Sequence, residues 1–362
     1  MKSVFRPAIQ KMAGYTPGEQ PQQSDWTKLN TNENPYPPSP RVVDAIRRAA
    51  EGRLNYYPDA HATAFRQAAA ELYGVTPDWI LPANGSDENL TIVVRSFCDS
   101  GDSLGYPYPS YVLYESLAQI QGCQISRLPL DENWQWDHGQ ARQLAASVGL
   151  FCVPNPNSPT GTKWSTEQLA ELLPDEGILL IDQAYADFSE DPMLPDILHD
   201  ARFDGRAMMT RTLSKSYSLA GIRFGFAIAP HVLVSGMQRV KDSYNCDAVS
   251  IAAATAALQD QDWMLNNRAK ILRTRARMAA ELTALDFQVC PSEANFLWMT
   301  HSSTQHERIY EALKADHILV RYMRFPGAER DGVTVEGLRI SVGTDAQIDQ
   351  LLESLARIVR EC

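Results

Sequence analysis

Between residues 79 and 229, short runs of almost wholly apolar side chains alternate with stretches of helical spacing. The apolar runs fall at 79–82, 103–106, 149–153, 177–181 and 207–211, and the helical stretches at 87–97, 110–121, 137–146 and 165–173. A strand that is apolar at successive positions is buried on both faces, and a parallel sheet between two layers of helices does that. The pattern therefore predicts an α/β chain with a mainly parallel sheet. A further strand at 221–229 and helices at 232–241 and 250–258 extend it.

The texture changes near Asp260. A long helix over 263–285 precedes strands at 288–299, 318–321 and 338–342, with a helix at 305–315 between them. In the closing stretch, 345–359, Ile348, Leu351, Leu352, Leu355, Ile358 and Val359 fall on one helical face, with Asp345 as its expected cap. The first forty residues are punctuated by Pro17, Pro21, Pro35, Pro37, Pro38 and Pro40 and read as an extended arm. At 362 residues the chain is long for one core. We expect an arm at 1–45 joining a smaller α+β domain at 260–362, and a large domain at 46–259.

Composition narrows the function. A formal charge of −11 lacks the basic footprint of a nucleic-acid binder and disfavours anionic membranes. The six cysteines form no Cys-x-x-Cys pair, and the seven histidines show no metal-ligand spacing, so neither a disulfide framework nor a metal site is expected. No apolar run approaches the roughly 20 residues of a membrane span. The expectation is a soluble cytoplasmic protein.

Four stretches could carry chemistry. Lys215, in Arg211-Thr212-Leu213-Ser214-Lys215-Ser216, is suited to Schiff-base work, since a desolvated or cation-flanked lysine loses its proton readily. By itself such a lysine is usually an exposed loop cation. Asp182 ends the apolar run Leu179-Leu180-Ile181, at the strand end where open α/β sheets bind ligands; by itself it could cap a turn. Asn155-Pro156-Asn157-Ser158-Pro159-Thr160-Gly161 makes a sharp turn offering amides and hydroxyls. Ala83-Asn84-Gly85-Ser86-Asp87-Glu88 opens a helix, whose free N–H groups suit an anion.

The order of these stretches, with Tyr108-Pro109-Ser110-Tyr111 between them and Arg223 eight residues beyond Lys215, resembles the fold type I pyridoxal-phosphate-dependent aminotransferases. Within them it is most similar to the histidinol-phosphate aminotransferase branch. That finer likeness rests on Leu29-Asn30-Thr31-Asn32-Glu33-Asn34-Pro35-Tyr36-Pro37, Tyr57-Pro58, Leu219-Ala220-Gly221-Ile222-Arg223-Phe224-Gly225 and Leu338-Arg339-Ile340-Ser341-Val342-Gly343-Thr344.

The resemblance implies roles. Lys215 matches the lysine that binds the cofactor aldehyde and then moves a proton, Asp182 the partner of the pyridine nitrogen, and Tyr185 the phenol on the cofactor O3′. Tyr111 matches the aromatic stacked on the ring, with a core tyrosine as the alternative. Ser86, Asp87, Thr212, Ser214 and Arg223 match the phosphate cup, and Tyr57 a tyrosine reaching it from the other subunit of a homodimer. Arg339 matches the carboxylate-binding arginine. Arg321, Tyr15 and Asn30 are further substrate candidates, although Arg321 could equally be a surface cation. Two positions depart from the pattern. Ser158 stands where an asparagine is usual, which leaves Asn157 or Ser158 to contact O3′, and Gln183 replaces a glutamate.

The implied reaction exchanges an amino group between histidinol phosphate plus 2-oxoglutarate and imidazole-acetol phosphate plus glutamate, a step of histidine biosynthesis. The alternatives are an aromatic amino-acid aminotransferase or a phosphothreonine decarboxylase of the same fold.

Overall fold

The computed structural model describes residues 4–12, 18–21, 23, 25–192 and 195–361. Counting Thr27–Lys28 as β1, the apolar runs become β2 (Ile80–Ala83), β3 (Ser103–Tyr108), β5 (Leu150–Pro154), β6 (Ile178–Asp182), β7 (Ala207–Thr212) and β8 (Gly225–Ile228), with β4 at Gln124–Pro129. They form one sheet in the order β2-β8-β7-β6-β5-β3-β4. Every neighbouring pair is parallel except those made by β8, which runs antiparallel to both β2 and β7. All residues of β2, β5, β6, β7 and β8 are buried, as helices on both faces require.

A second, four-stranded antiparallel sheet has the order β12-β13-β10-β9, built from β9 (Phe287–Val289), β10 (Phe296–His301), β12 (Arg321–Arg330) and β13 (Val333–Ser341). β11 (Ile318–Leu319) pairs in parallel with β1. The apolar side chains gather in two main clusters. One surrounds the seven-stranded sheet. The other joins Leu29, Met278, Leu282, Leu297, Ile340 and Leu355 around the four-stranded one.

Several elements differ from the sequence expectation. β4 was not expected, because an edge strand carries polar, exposed side chains instead of an apolar run. The strand expected over 221–229 begins only at Gly225, after a 3₁₀ turn at Ala220–Ile222. The strand expected over 288–299 is two strands, β9 and β10. Most of β12 was hidden by its arginines and by Pro326-Gly327, which sit where the register with β13 slips between Phe325 and Glu329. Asp345 is the first residue of the closing helix, Asp345–Glu361, and not its cap. The Thr344 hydroxyl accepts the Gln347 N–H there, at 3.3 Å.

The placing of the functional edge depends on one glycine. β8 crosses directly beneath the start of the Gly85–Phe97 helix. A Cβ at Gly225 would lie 2.5 Å from Ser86 N, 2.6 Å from the Gly85 carbonyl carbon and 2.8 Å from the Arg211 carbonyl oxygen. All three are backbone atoms, so no side-chain rotation relieves the clash. Gly225→Ala is therefore expected to cost roughly 1–3 kcal/mol. Urea unfolding checks this: an unchanged midpoint would mean that β8 and the helix start are not held this closely.

Candidate functional site

β2, β5, β6 and β7 point the same way, so their C-terminal ends share one edge of the sheet. Asp182 is the last residue of β6 and Thr212 the last of β7. A cleft opens at this edge. It is lined by Asn30, Thr31 and Asn32 of the arm, Ser86, Asp87, Ser110, Tyr111, Ser158, Asp182, Tyr185, Thr212, Ser214, Lys215 and Arg223 around the large sheet, and Arg321, Met323 and Arg339 of the small one.

Asp182 lies at the floor. Its Oδ2 accepts the Tyr114 hydroxyl at 3.0 Å, and its Oδ1 accepts the Thr210 hydroxyl at 3.1 Å and the Ala184 N–H at 3.2 Å. These bonds favour the carboxylate, yet complete burial outweighs them and lifts its pKa to about 6. A carboxylate in that state gains from a cationic partner.

Lys215 is half-buried. Burial, then the positive charge of Arg339, pull its pKa down to about 8, against the opposing pull of Glu33 and Asp87. Its Nζ donates to the Thr31 carbonyl at 3.0 Å. The turn around it is pinned from both sides. Asn34 Nδ2 donates to the Lys215 and Ser216 carbonyls, and the Ser216 hydroxyl donates to Asp187, which also pairs with the buried Arg211 at 2.6 Å.

One end of the cleft is shaped for an anion. Asn84, preceding the Gly85–Phe97 helix, provides no side-chain cap. The first-turn N–H groups of the helix thus face an end where Thr212, Ser214 and Arg223 gather. Arg223 reaches Ser214 Oγ at 3.4 Å and Asp87 Oδ2 at 3.5 Å, and Asp87 also accepts the Tyr111 hydroxyl at 3.2 Å.

The opposite end carries two arginines. Arg321 on β12 and Arg339 on β13 are direct cross-strand partners. Arg339 donates to Ser158 Oγ and to the Asn30 carbonyl, each at 3.0 Å. Asn30 in turn donates to the Glu19 carbonyl at 2.9 Å.

The expected site residues that are described thus converge on the cleft, with two exceptions. Asn157 is fully buried behind Ser158, where it accepts the Ser110 hydroxyl and donates to Thr160 and the Pro109 carbonyl. Of the two residues, only Ser158 lines the cleft. Tyr57 lies outside it, 80% exposed and stacked on Tyr244 at 4.4 Å. Tyr15 lies outside the described residues. Sequence reasoning missed Asn32, Tyr114 and Thr210. Asn32 sat within a quoted motif, and Tyr114 lies one helical turn after Tyr111. Nothing in the sequence marked Thr210.

Residues 24–355 match the family described as aminotransferase class I and II. A protein of Rhodopirellula baltica named histidinol-phosphate aminotransferase is 49% identical over 98% of this chain and 96% of its own length. One of the same name from Syntrophotalea carbinolica is 42% identical over 98% and 99%. The crystal structure of histidinol-phosphate aminotransferase from Sinorhizobium meliloti in complex with pyridoxal-5′-phosphate superposes with a TM-score of 0.87. It is 25% identical to this chain, over 99% of this chain and 98% of that one.

Two measurements probe the electrostatics without any ligand. Competitive acylation of the apoprotein is expected to show Lys215 becoming reactive with a midpoint near pH 8; a midpoint at the ordinary lysine value, about 10.4, would remove the buried-amine reading. Asp182, raised above its unfolded value, binds a proton more readily folded than unfolded. Its contribution is therefore most favourable below pH 4 and is lost as pH rises to about 6. At pH 8, Asp182→Asn is expected to stabilise the apoprotein by roughly 1–3 kcal/mol. Loss of thermal stability in that variant would show that its hydrogen bonds outweigh its burial.

Proposed function

The chain belongs to the class I and II aminotransferases, and on that premise we propose that it exchanges an amino group between glutamate and imidazole-acetol phosphate, giving 2-oxoglutarate and histidinol phosphate. Pyridoxal 5′-phosphate is the cofactor this requires, and the cleft fits it. The uncapped helix start with Thr212, Ser214 and Arg223 suits its phosphate, Asp182 its ring nitrogen and Lys215 its aldehyde.

The observation that carries the substrate assignment is the cross-strand pair Arg321–Arg339. Like charges directly opposed on a sheet destabilise it. An anion between them removes that penalty, and each partner in the reaction offers one, a carboxylate on glutamate and a phosphomonoester on the ketone. Planar guanidinium groups take either in two-point fashion.

When bound, the cofactor supplies an electron-accepting ring that stabilises negative charge developing on the substrate carbon. Asp182 would pair with the ring nitrogen and favour its protonated form, and that positive charge would offset the carboxylate's desolvation. Lys215 holds a substantial neutral fraction near pH 8, so its Nζ would serve as a nucleophile toward the cofactor aldehyde and as a base that takes and returns a proton. Tyr111 and Tyr185, which line the cleft, would border the cofactor ring. Arg339, braced by Ser158 and Asn30, orients the carboxylate.

The same reading includes a homodimer in which Tyr57, exposed beside Leu54 and Tyr56, reaches the partner's cleft. It also includes a chain divided near Asp260, which the two apolar clusters support. Among the described residues no helix is long and apolar enough to cross a membrane, and we place the enzyme in the cytoplasm, alongside its glutamate.

Assay of the purified holoenzyme with glutamate against imidazole-acetol phosphate, phenylpyruvate and phosphothreonine tests the proposal. Transfer to the phosphorylated ketone is expected to be preferred. Arg321→Met should raise its KM about tenfold or more, and Lys215→Ala should lose roughly three orders of magnitude of turnover. Preference for phenylpyruvate, or carbon dioxide release from phosphothreonine, would overturn it.

A further inference from the structure

Asn32 sits in the arm at a left-handed φ of 55°, almost fully buried, with every polar group engaged. Its N–H donates to Ser341 Oγ at 2.8 Å, and its carbonyl accepts from Asn295 Nδ2 at 3.0 Å. Its side-chain Oδ1 accepts the Ser341 hydroxyl at 3.1 Å, and its Nδ2 donates to the Tyr185 oxygen at 3.0 Å.

These bonds settle which way the amide faces. The Ser341 oxygen already accepts the Asn32 N–H, so its own proton needs an acceptor, and Oδ1 is that acceptor. Turning the amide over would set two donors against the Ser341 oxygen and leave its proton with neither Asn32 group to take it. The NH₂ end therefore faces Tyr185.

A phenol has one proton to give and two lone pairs to receive with. With an amide donor fixed on its oxygen, Tyr185 cannot give its proton to Asn32. Asn32 and Tyr185 both line the cleft. We propose that Asn32 is a positioning residue for the aminotransferase reaction: it fixes the Tyr185 hydroxyl as a donor into the cleft, toward an acceptor oxygen on the bound cofactor. The amide also strengthens that donor, because a hydrogen bond received by the phenol oxygen makes its proton easier to share. Through Ser341, two residues beyond Arg339 on β13, the same side chain holds the phenol in register with the carboxylate-binding strand.

This inference rests on the function proposed above, and its test separates the two. The readout is the pH midpoint of the holoenzyme's visible absorbance change, measured alongside kcat and KM. Asn32→Gly keeps the left-handed backbone and removes the amide. It is expected to raise the midpoint by about half to one pH unit, with kcat falling about threefold to tenfold and KM for glutamate changing less than about twofold. In a Tyr185→Phe background the same substitution should move the midpoint by less than about 0.2 unit, because the effect passes through the phenol. Asn32→Asp has the same outline but presents only acceptors, so it draws the Tyr185 proton away from the cleft. It should raise the midpoint further than glycine does.

An unshifted midpoint in Asn32→Gly, or an equal shift in the Tyr185→Phe background, would overturn the proposal. If the glycine variant does not fold, Asn32→Asp decides, and absence of a rise overturns it. Wild-type protein inactive toward glutamate would instead remove the reaction. The Tyr185–Asn32 bond is then read in the apoprotein, from the carbon-13 titration of the tyrosine ring signal that Tyr185→Phe deletes. A titration unchanged by Asn32→Asp would overturn the bond.

Discussion

The Thr27 N–H donates to the His317 carbonyl at 2.8 Å, the Leu29 N–H to Leu319 at 2.7 Å, and the Ser341 N–H to the Leu29 carbonyl at 2.9 Å. These bonds seat a short strip of the arm on the small sheet, and the burial of Leu29 in that sheet's apolar cluster anchors it. Directly after it, Asn30, Thr31 and Asn32 line the cleft. The Asn30 carbonyl receives Arg339, the Thr31 carbonyl receives Lys215, Asn32 meets Tyr185, and Asn34 holds the turn that carries Lys215. The strip also keeps water from the Lys215 amine. Burial is the largest cause of that amine's depressed pKa, so the chemistry of a lysine on the large sheet depends on the docking of a segment far from it in sequence.

The second constraint is electrostatic. The chain carries a net −11, yet Lys215, Arg223, Arg321 and Arg339 all face one cleft. Concentrating cations there has two effects. It draws anionic ligands from solution into a site whose surroundings would otherwise repel them. It also makes each cation less costly to discharge, and the one that can discharge near neutral pH is the lysine, because an arginine stays protonated. Asp182 is the counterweight. It is held at the floor by Tyr114 and Thr210, deep enough that its charge costs free energy until a positive group arrives.

What was legible in the sequence follows from burial. β5 and β6 are buried at every residue and announced themselves as apolar runs. β4, at the sheet edge, and β12, with its outward arginines and its proline at a register slip, carry no such signature. Among the site residues, Lys215 and Asp182 were readable from the order of the motifs around them, because alone the lysine reads as a loop cation and the carboxylate as a turn cap. Tyr114, Thr210 and Asn32 are ordinary residue types. Their roles come from partners 28 to 153 positions away, and no local pattern records such a pairing.

Ser158 shows how a departure from a motif is absorbed. An asparagine at this position would offer an amide; serine offers a shorter hydroxyl, and here that hydroxyl accepts from Arg339. Asn157 does not compensate, because its amide is spent on Pro109, Ser110 and Thr160, which shape the turn itself. The amide that stands at the Tyr185 oxygen comes instead from the arm, as Asn32. The exchange suits Arg339. A guanidinium has five N–H groups, and with one given to Ser158 and one to the Asn30 carbonyl its plane is fixed from two directions. An arginine oriented in that way binds a carboxylate with less ordering left to do, and binding strength gained through such preorganisation needs no additional contact.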